Sequence, residues 1–364
     1  MANDVAWWPS YAFERTRHWP WTIIAPVSES VVSVSFDNLG EAAQLELGMW
    51  PPEVPEGQHF TVVDVLPRLL DLLTTRNVRA TFFVEGLNAE MYPQALHTIA
   101  AAGHEVAVHA WRHEEWAALD PESELALLER ATNAMRSIGI EPSGFRPPGG
   151  GLTERTLGLL GEQGYSYVSP AGERAGLLEG LAVLPFRWPL VDAYAYLPQF
   201  AGLRERYGDG PDPRTPEEMQ AGMIAALENH SRQEGHLTLL FHPFSVAFTG
   251  DPGWEALDSV LGEAVRLGDA GAFTMMRMDE AAAQMLEIPE GLGHPPQLDA
   301  ATWMTQWPCA CVAHLRFSLR LAPPRITPSR FARASAWSSS PSSADALRSR
   351  CGPWGYLCGR SRAG

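Results

Sequence analysis

Five groups of residues carry side chains able to do chemistry, and each stands where a strand is expected to end. Asp37-Asn38 follows Val31-Val-Ser-Val-Ser-Phe36, and His109, with His113 four residues on, follows Glu105-Val-Ala-Val108. Arg146 opens the stretch Arg146-Pro-Pro-Gly-Gly-Gly151. Asp192 comes after Leu184-Pro-Phe-Arg-Trp188, and His242-Pro243 after Leu237-Thr-Leu-Leu-Phe241. An acid, a histidine pair, an arginine, a second acid and a third histidine form an inventory suited to metal-assisted hydrolysis.

Each group alone admits two readings. His109 and His113 face the same way if one helical turn links them, which suits two imidazoles on one divalent metal. They could equally be a histidine at a strand end and one in solvent. Asp37 is a general base for water, or the cap of the turn after its strand. His242 is the acid that protonates a leaving amine, or a core histidine before a proline. Arg146 orients Asp37, or lies on the surface of a loop. Gly149–Gly151 leave backbone N–H groups accessible, as an oxyanion site requires, or form a plain turn. Their joint placement at strand ends, in this order, is what links them.

The elements that must position these residues alternate between strand and helix. Val31–Phe36, Arg79–Val84, Glu105–His109, Leu237–His242 and Ala272–Met275 read as strands. Helices are expected over Thr61–Arg76, Tyr92–Ala102, Asp120 to Ile138, Thr153–Gln163, from Thr215 onward, over Trp254–Leu267 and over Asp279–Leu286. Asp120-Pro121 and Thr215-Pro216, each followed by acids, are helix N-caps. Roughly seven βα units fit a closed or slightly open, distorted (β/α) barrel, with a doubly wound open sheet as the alternative. Both place chemistry at the C-terminal ends of strands. Residues 1–30 read as a Trp- and Pro-rich arm, 31–292 as the barrel, and 293–364 as a basic, Ser-, Pro- and Arg-rich tail expected to be disordered. The long Leu39–Phe60 connection, with Trp50, is expected to cover the pocket or to pack under the arm.

Charge divides the chain in the same place. All 27 basic residues are arginine, and the net charge of the 364 residues is −16. Residues 1–300 hold 18 arginines against 42 acids, whereas 301–364 hold 9 arginines against Asp345 alone. The four cysteines (Cys309, Cys311, Cys351, Cys358) also lie in the tail, at spacings that fit no common zinc pattern. An acidic body repels phosphate backbones and anionic membranes, and no apolar run is long enough to span a bilayer. Asp4, Glu14, Arg15 and Arg17 spoil a secretory leader, so cytoplasmic residence is expected. The expected partner is a small-molecule or saccharide substrate. Oligomeric state is left open, a homo-oligomer included.

The ordered set resembles the polysaccharide deacetylase family, also called NodB-homology or carbohydrate esterase 4. Phe36-Asp37-Asn38 is similar to its Phe-Asp-Asp motif, and His109-Ala-Trp-Arg-His113 to its His-x-x-x-His motif. Arg146-Pro-Pro-Gly-Gly resembles its Arg-x-Pro-x-Gly motif, and Leu237-Thr-Leu-Leu-Phe-His242 its Leu-x-x-x-His motif. Ala80-Thr-Phe-Phe-Val84 and Ala101-Ala-Gly-His-Glu105 match the linking text. The resemblance implies a distorted barrel, a divalent metal, usually zinc, and hydrolysis of an N-acyl group, a carbon–nitrogen bond that is not a peptide. It implies Asp37 as base, His242 as acid, and Asn38, His109 and His113 as the metal positions. It places Gly149 at the oxyanion and Arg146 as the residue orienting Asp37, with Asp192 in support.

Two departures stand out. Asn38 occupies the place of a metal-binding carboxylate, so it brings an oxygen without charge. Gly149 replaces an aromatic wall. With Leu184-Pro-Phe-Arg-Trp188, Asp192-Ala-Tyr-Ala-Tyr196 and the missing leader, these changes resemble the intracellular allantoinase- and cyclic-imide-hydrolase-like branch, which implies a small N-acyl or cyclic amide substrate as the alternative to an N-acyl sugar. Trp188 and Trp50, with Gly149, are the expected substrate-binding positions at the pocket. A catalytically inactive, ligand-binding barrel is the third reading, supported by Asn38 alone.

Overall fold

In the computed structural model, which describes residues 30–288 and 295–299, β1 (Ser30–Asp37) organises a nine-stranded sheet. One edge of β1 pairs in parallel along its length with β9 (Gly235–Phe241), from Ser30↔Gly235 to Phe36↔Phe241. The other edge is shared: Val31 and Val32 pair with β10 (Thr274–Met275), and Ser35–Asp37 with β2 (Thr81–Val84). From β2 the sheet continues in parallel through β3 (Glu105–Val108), β4 (Gly144–Phe145), β5 (Tyr167–Val168) and β8 (Leu181–Val183). Antiparallel β7 (Gly176–Leu178) closes that side. A single parallel bridge, Val191↔Leu240, draws the chain after β8 onto β9. The sheet is therefore a curled half-barrel, the distorted α/β architecture that the strand–helix alternation implies.

Period-2 alternation sorts the side chains. Val32, Val34 and Phe36 of β1, Phe82 and Val84 of β2, and Val106 and Val108 of β3 join the main core under the helices. Ser33, Ser35 and Asp37 face the interior of the curl, where Ser33 meets His236 and Ser35 meets Arg146. Helix Leu66–Thr75 buries Leu66, Leu69, Leu70 and Leu73, a single stripe at helical spacing. Helix Asp251–Asp269 buries Leu257, Val260, Leu261 and Ala264 in the same way. Each buried Leu or Val contributes roughly 1.5–3 kcal/mol of transfer free energy. The expected caps are in place: Asp120 accepts from the N–H groups of Glu122 and Ser123, and Thr215 and Glu218 form a reciprocal capping box.

The differences from the sequence-based expectation are local. The helix expected over Thr61–Arg76 begins as a π-helical turn, Thr61–Val65, before the α-helix starts at Leu66. Strands β4, β5, β7 and β8 are two or three residues long, too short for a periodic signal. The Leu39–Phe60 connection contains a helix, Ala42–Glu46, and is tied down by Glu41, which accepts from Tyr92 Oη at 2.5 Å and from the Gly57 N–H at 2.6 Å. The arm through residue 29 and the tail beyond 299, with its cysteines, lie outside the described residues. Residues 295–299, assigned to the tail from sequence, contain β11 (Gln297–Leu298), antiparallel to β6 (Gly172–Arg174). Among the described residues no helix is long and apolar enough to cross a membrane.

Candidate active site

The inward stripes of β1, β2, β3 and β9 end in polar residues at one rim of the curl. Asp37 ends β1, and Arg146 arrives just after β4. Arg146 Nη1 donates to Asp37 Oδ1 at 2.6 Å and to Ser35 Oγ at 3.0 Å. Its other face is held by Ser169 Oγ, at 3.2 Å from Nε and 2.9 Å from Nη2, and its guanidinium lies 3.9 Å above the Phe83 ring. Arg146 is fully buried, which excludes a surface role. Burial raises the Asp37 carboxyl above its usual value, and the neighbouring Arg146 and His242 charges oppose that rise.

His109 ends β3. Its Nδ1–H donates to the Arg146 carbonyl at 2.8 Å, which leaves Nε2 as the lone-pair nitrogen, 4.0 Å from Asp37 Oδ2. The His113 ring lies 5.0 Å from the His109 ring, nearly perpendicular at 71°. No helix links them. The turn instead carries two left-handed residues, Ala110 at φ 59° and His113 at φ 78°. Glu114 sets that turn, accepting from the N–H groups of Trp111 and Arg112 at 3.0 Å. Burial lowers both imidazoles to about 3, so both are neutral donors.

Asn38, at φ 61°, turns the chain beyond Asp37, and its Oδ1 is buried with no hydrogen-bond partner. An unpaired carboxamide oxygen and two neutral imidazoles are a donor set that suits a divalent ion such as zinc. Among the described residues no three His, Cys, Asp or Glu side chains form a ready-made metal cluster.

On the β9 side, His242 Nδ1–H donates to Asp192 Oδ1 at 2.7 Å, and the His242 N–H donates to Asp192 Oδ2 at 2.8 Å. Burial works against the imidazolium, but the fully buried Asp192 carboxylate outweighs it, so His242 titrates above the usual histidine value. Asp192 therefore holds His242, and not Asp37 as its place in the motif order suggests.

The remaining sequence-predicted residues are less central. Gly149 is exposed at φ 72°, with open space where a Cβ would stand. Gly150 has no such freedom, since a Cβ there would lie 2.7 Å from Ala171 Cβ. Trp188 is only 8% exposed and packs on Phe186 and Phe200 in a satellite core, which makes it a packing residue rather than a pocket wall. Trp50 is half-buried on the Leu39–Phe60 connection, its Nε1–H on the Val54 carbonyl and its ring 5.6 Å from His59. His104, at the approach to β3, is buried and accepts from the Ala80 N–H at 3.1 Å.

Sequence reasoning missed Glu85. It follows β2, is 1% exposed, and accepts from Asn88 Nδ2 at 3.0 Å. Burial, with the Asp37 and Glu114 charges nearby, holds its carboxyl well above the usual range. The signal was available: Thr81, Phe83 and Glu85 alternate onto the same face as Asp37 and His109.

Comparison with known proteins adds an independent line. Residues 26–168 match the family described as Polysaccharide deacetylase. Chitin deacetylase 1 of Cryptococcus neoformans is 31% identical over 103 residues, 28% of this chain and 22% of that protein. The peptidoglycan-N-acetylglucosamine deacetylase of Bacillus cereus is 33% identical over 109 residues, 29% of this chain and 39% of that one. The chain thus spans well under half the length of these curated relatives. A solved Mycobacterium smegmatis protein assigned as a polysaccharide deacetylase is 28% identical, covers 72% of this chain and 94% of its own, and superposes with a TM-score of 0.59. Puue allantoinase, at 15% identity and a TM-score of 0.54 over 74% of this chain and 97% of its own, shares the fold alone. The relatives are named for chitin and peptidoglycan, polymers of cell walls, and this overturns the cytoplasmic assignment drawn from the N-terminal residues. Fold, motif order and these matches agree: over residues 26–168 the chain is similar to the polysaccharide deacetylase family.

Proposed function

We propose that this chain removes the N-acetyl group from amino-sugar units of a polysaccharide, with Asp37 as general base and His242 as general acid. One observation carries the reading. Two oppositely charged, buried catalytic pairs, Asp37–Arg146 and His242–Asp192, frame the His109–His113 turn. A divalent cation held by Asn38, His109 and His113, zinc by the chemistry of the donors, would supply Lewis acidity toward the acyl oxygen.

The chain's own groups do the rest. Asp37, fixed by Arg146, takes a proton from the attacking water as its oxygen bonds to the acyl carbon. The oxyanion of the tetrahedral intermediate faces the backbone N–H of Gly149. His242, held in one tautomer by Asp192, gives its Nε2 proton to the departing nitrogen. The C–N bond breaks, and acetate and a free amine result.

Acetate release from chitin oligosaccharides and peptidoglycan fragments tests the proposal. Asp37→Asn and His242→Asn should each lower kcat by about 10²–10⁴-fold, and chelation should abolish turnover until zinc is restored. Full activity in Asp37→Asn would remove the base assignment. Turnover of cyclic imides without acetate release would favour the cyclic-amide alternative. Saccharide binding with no turnover at all would favour the inactive barrel that Asn38 suggests.

A further inference from the structure

Charge balance around the candidate cation site is incomplete without Glu85. Asn38, His109 and His113 are all neutral donors. Arg146 takes up the charge of Asp37 at 2.6 Å, and His242 that of Asp192 at 2.7 Å. A divalent cation held in a buried pocket by neutral donors alone carries its full charge uncompensated, and such burial is strongly unfavourable. In oxygen- and nitrogen-ligated sites, the number of negative charges supplied is a main determinant of affinity.

Glu85 stands where that charge is needed. The register pairs Asp37 with Phe83 and Phe83 with Ala107, and the His109 N–H bonds to the Val84 carbonyl. Glu85 and His109 are therefore the next inward positions after Phe83 and Ala107, on neighbouring strands and at the same level. Phe83 confirms that the stripe faces inward, since the Arg146 guanidinium covers its ring at 3.9 Å. The Glu85 carboxylate is buried, its hydrogen-bond partners are the neutral Asn88 amide and the backbone N–H groups of Leu39 and Glu85, and no ion pair to it occurs among the described residues. Asn88 Nδ2 also donates to the Leu39 carbonyl at 2.5 Å, so Glu85 is joined through one side chain to the turn that carries Asn38. The Oδ1 of Asn38 is itself buried and unpaired.

We propose that Glu85 supplies to the divalent-cation site of Asn38, His109 and His113 the negative charge that Asn38 does not carry. Opposite a divalent cation, a carboxyl in this position ionises. The inference rests on the cation site of the proposed function and assigns the origin of its charge.

Metal affinity of the chelator-stripped full chain tests it, measured for Zn2+ and Co2+ by competition with a chromophoric chelator. The set is the parent, Glu85→Gln, Asn38→Asp and the double variant. Glu85→Gln should weaken binding about tenfold or more. Adding Asn38→Asp to Glu85→Gln should restore most of that loss, a rescue that a merely structural role for Glu85 would not show. In the parent background, Asn38→Asp should tighten binding by less than about tenfold, because a charge is already present. Binding by Glu85→Gln within about twofold of the parent, or an equal gain from Asn38→Asp in both backgrounds, overturns the inference alone. If Glu85→Gln does not fold, Asn38→Asp by itself decides: a gain of about 100-fold or more in the parent shows that no charge was in place and overturns it. No uptake of either metal by the parent overturns the cation site and this inference together.

Discussion

Arg146 reaches Asp37 from three strands away and binds it with Nη1 at 2.6 Å, while Ser35 and Ser169 hold the rest of its guanidinium. The pair fixes the direction of the carboxylate and offsets its charge in a dry interior. A lysine keeps the charge but cannot reach Asp37 and Ser169 together. Arg146→Lys should therefore lower kcat by about 100-fold with KM little changed, since the base is misplaced and not removed. Steady-state kinetics on an N-acetylated oligosaccharide would check it, and an unchanged kcat would count against the positioning role.

With His242 as the acid of the proposed function, its pairing with Asp192 should set the alkaline limit of activity. Burial would pull the imidazolium below its ordinary value near 6.5, and the Asp192 carboxylate reverses this. The acid form of His242 thus persists above pH 6.5 in the parent and is lost as pH rises through the raised value. Asp192→Asn leaves only the Asp37 charge to oppose burial, so the alkaline limb of kcat/KM should move to lower pH. A pH–rate profile for parent and variant gives the answer. A limb that stays in place would show that another group sets it.

His113 holds a conformation that its side chain does not favour. At φ 78° an L residue costs about 1–2 kcal/mol relative to glycine. Such strain is kept where the side chain has work to do. His113→Gly should leave Tm unchanged or raise it, while bound metal per chain falls sharply. Thermal melts with elemental analysis test both halves. A lower Tm with metal retained would contradict the assignment.

His59 links acid stability to the Leu39–Phe60 connection. Burial lowers its pKa to about 4, with Nδ1 on Thr61 Oγ1 at 2.7 Å and Nε2 unpartnered. The unfolded chain binds this proton near pH 6.5, so between 6.5 and 4 it holds more protons than the folded chain. Stability is therefore full above pH 6.5 and falls as pH drops toward 4, by up to about 3 kcal/mol from this group. His59→Gln should flatten Tm against pH in that window. An unchanged slope would place the acid sensitivity elsewhere.

Much of the molecule was legible in local patterns. The alternation of β1, β3 and β9, the stripe of Leu66, Leu69 and Leu73, and the caps at Asp120 and Thr215 depend on near neighbours, so a linear reading captures them. Strands β4, β5 and β8 escaped because two or three residues carry no period, and they exist only by docking one after another beyond β3. The role of Trp188 was misjudged because an aromatic near a motif looks the same whether it lines a pocket or fills a core. Its packing on Phe186 and Phe200 is a tertiary fact.

By itself the sequence determined which residues end the strands and in what order, and so which acids, imidazoles and arginine gather at one rim. These are properties of residue type and period, which the chain carries wherever it folds. Only the tertiary structure decided the partners: that Asp192 serves His242, that Arg146 is buried against Asp37, and that Glu85 stands level with His109. Partnership depends on strand register and on the curl of the sheet. Both are set by contacts between segments tens to hundreds of residues apart, which no local pattern encodes.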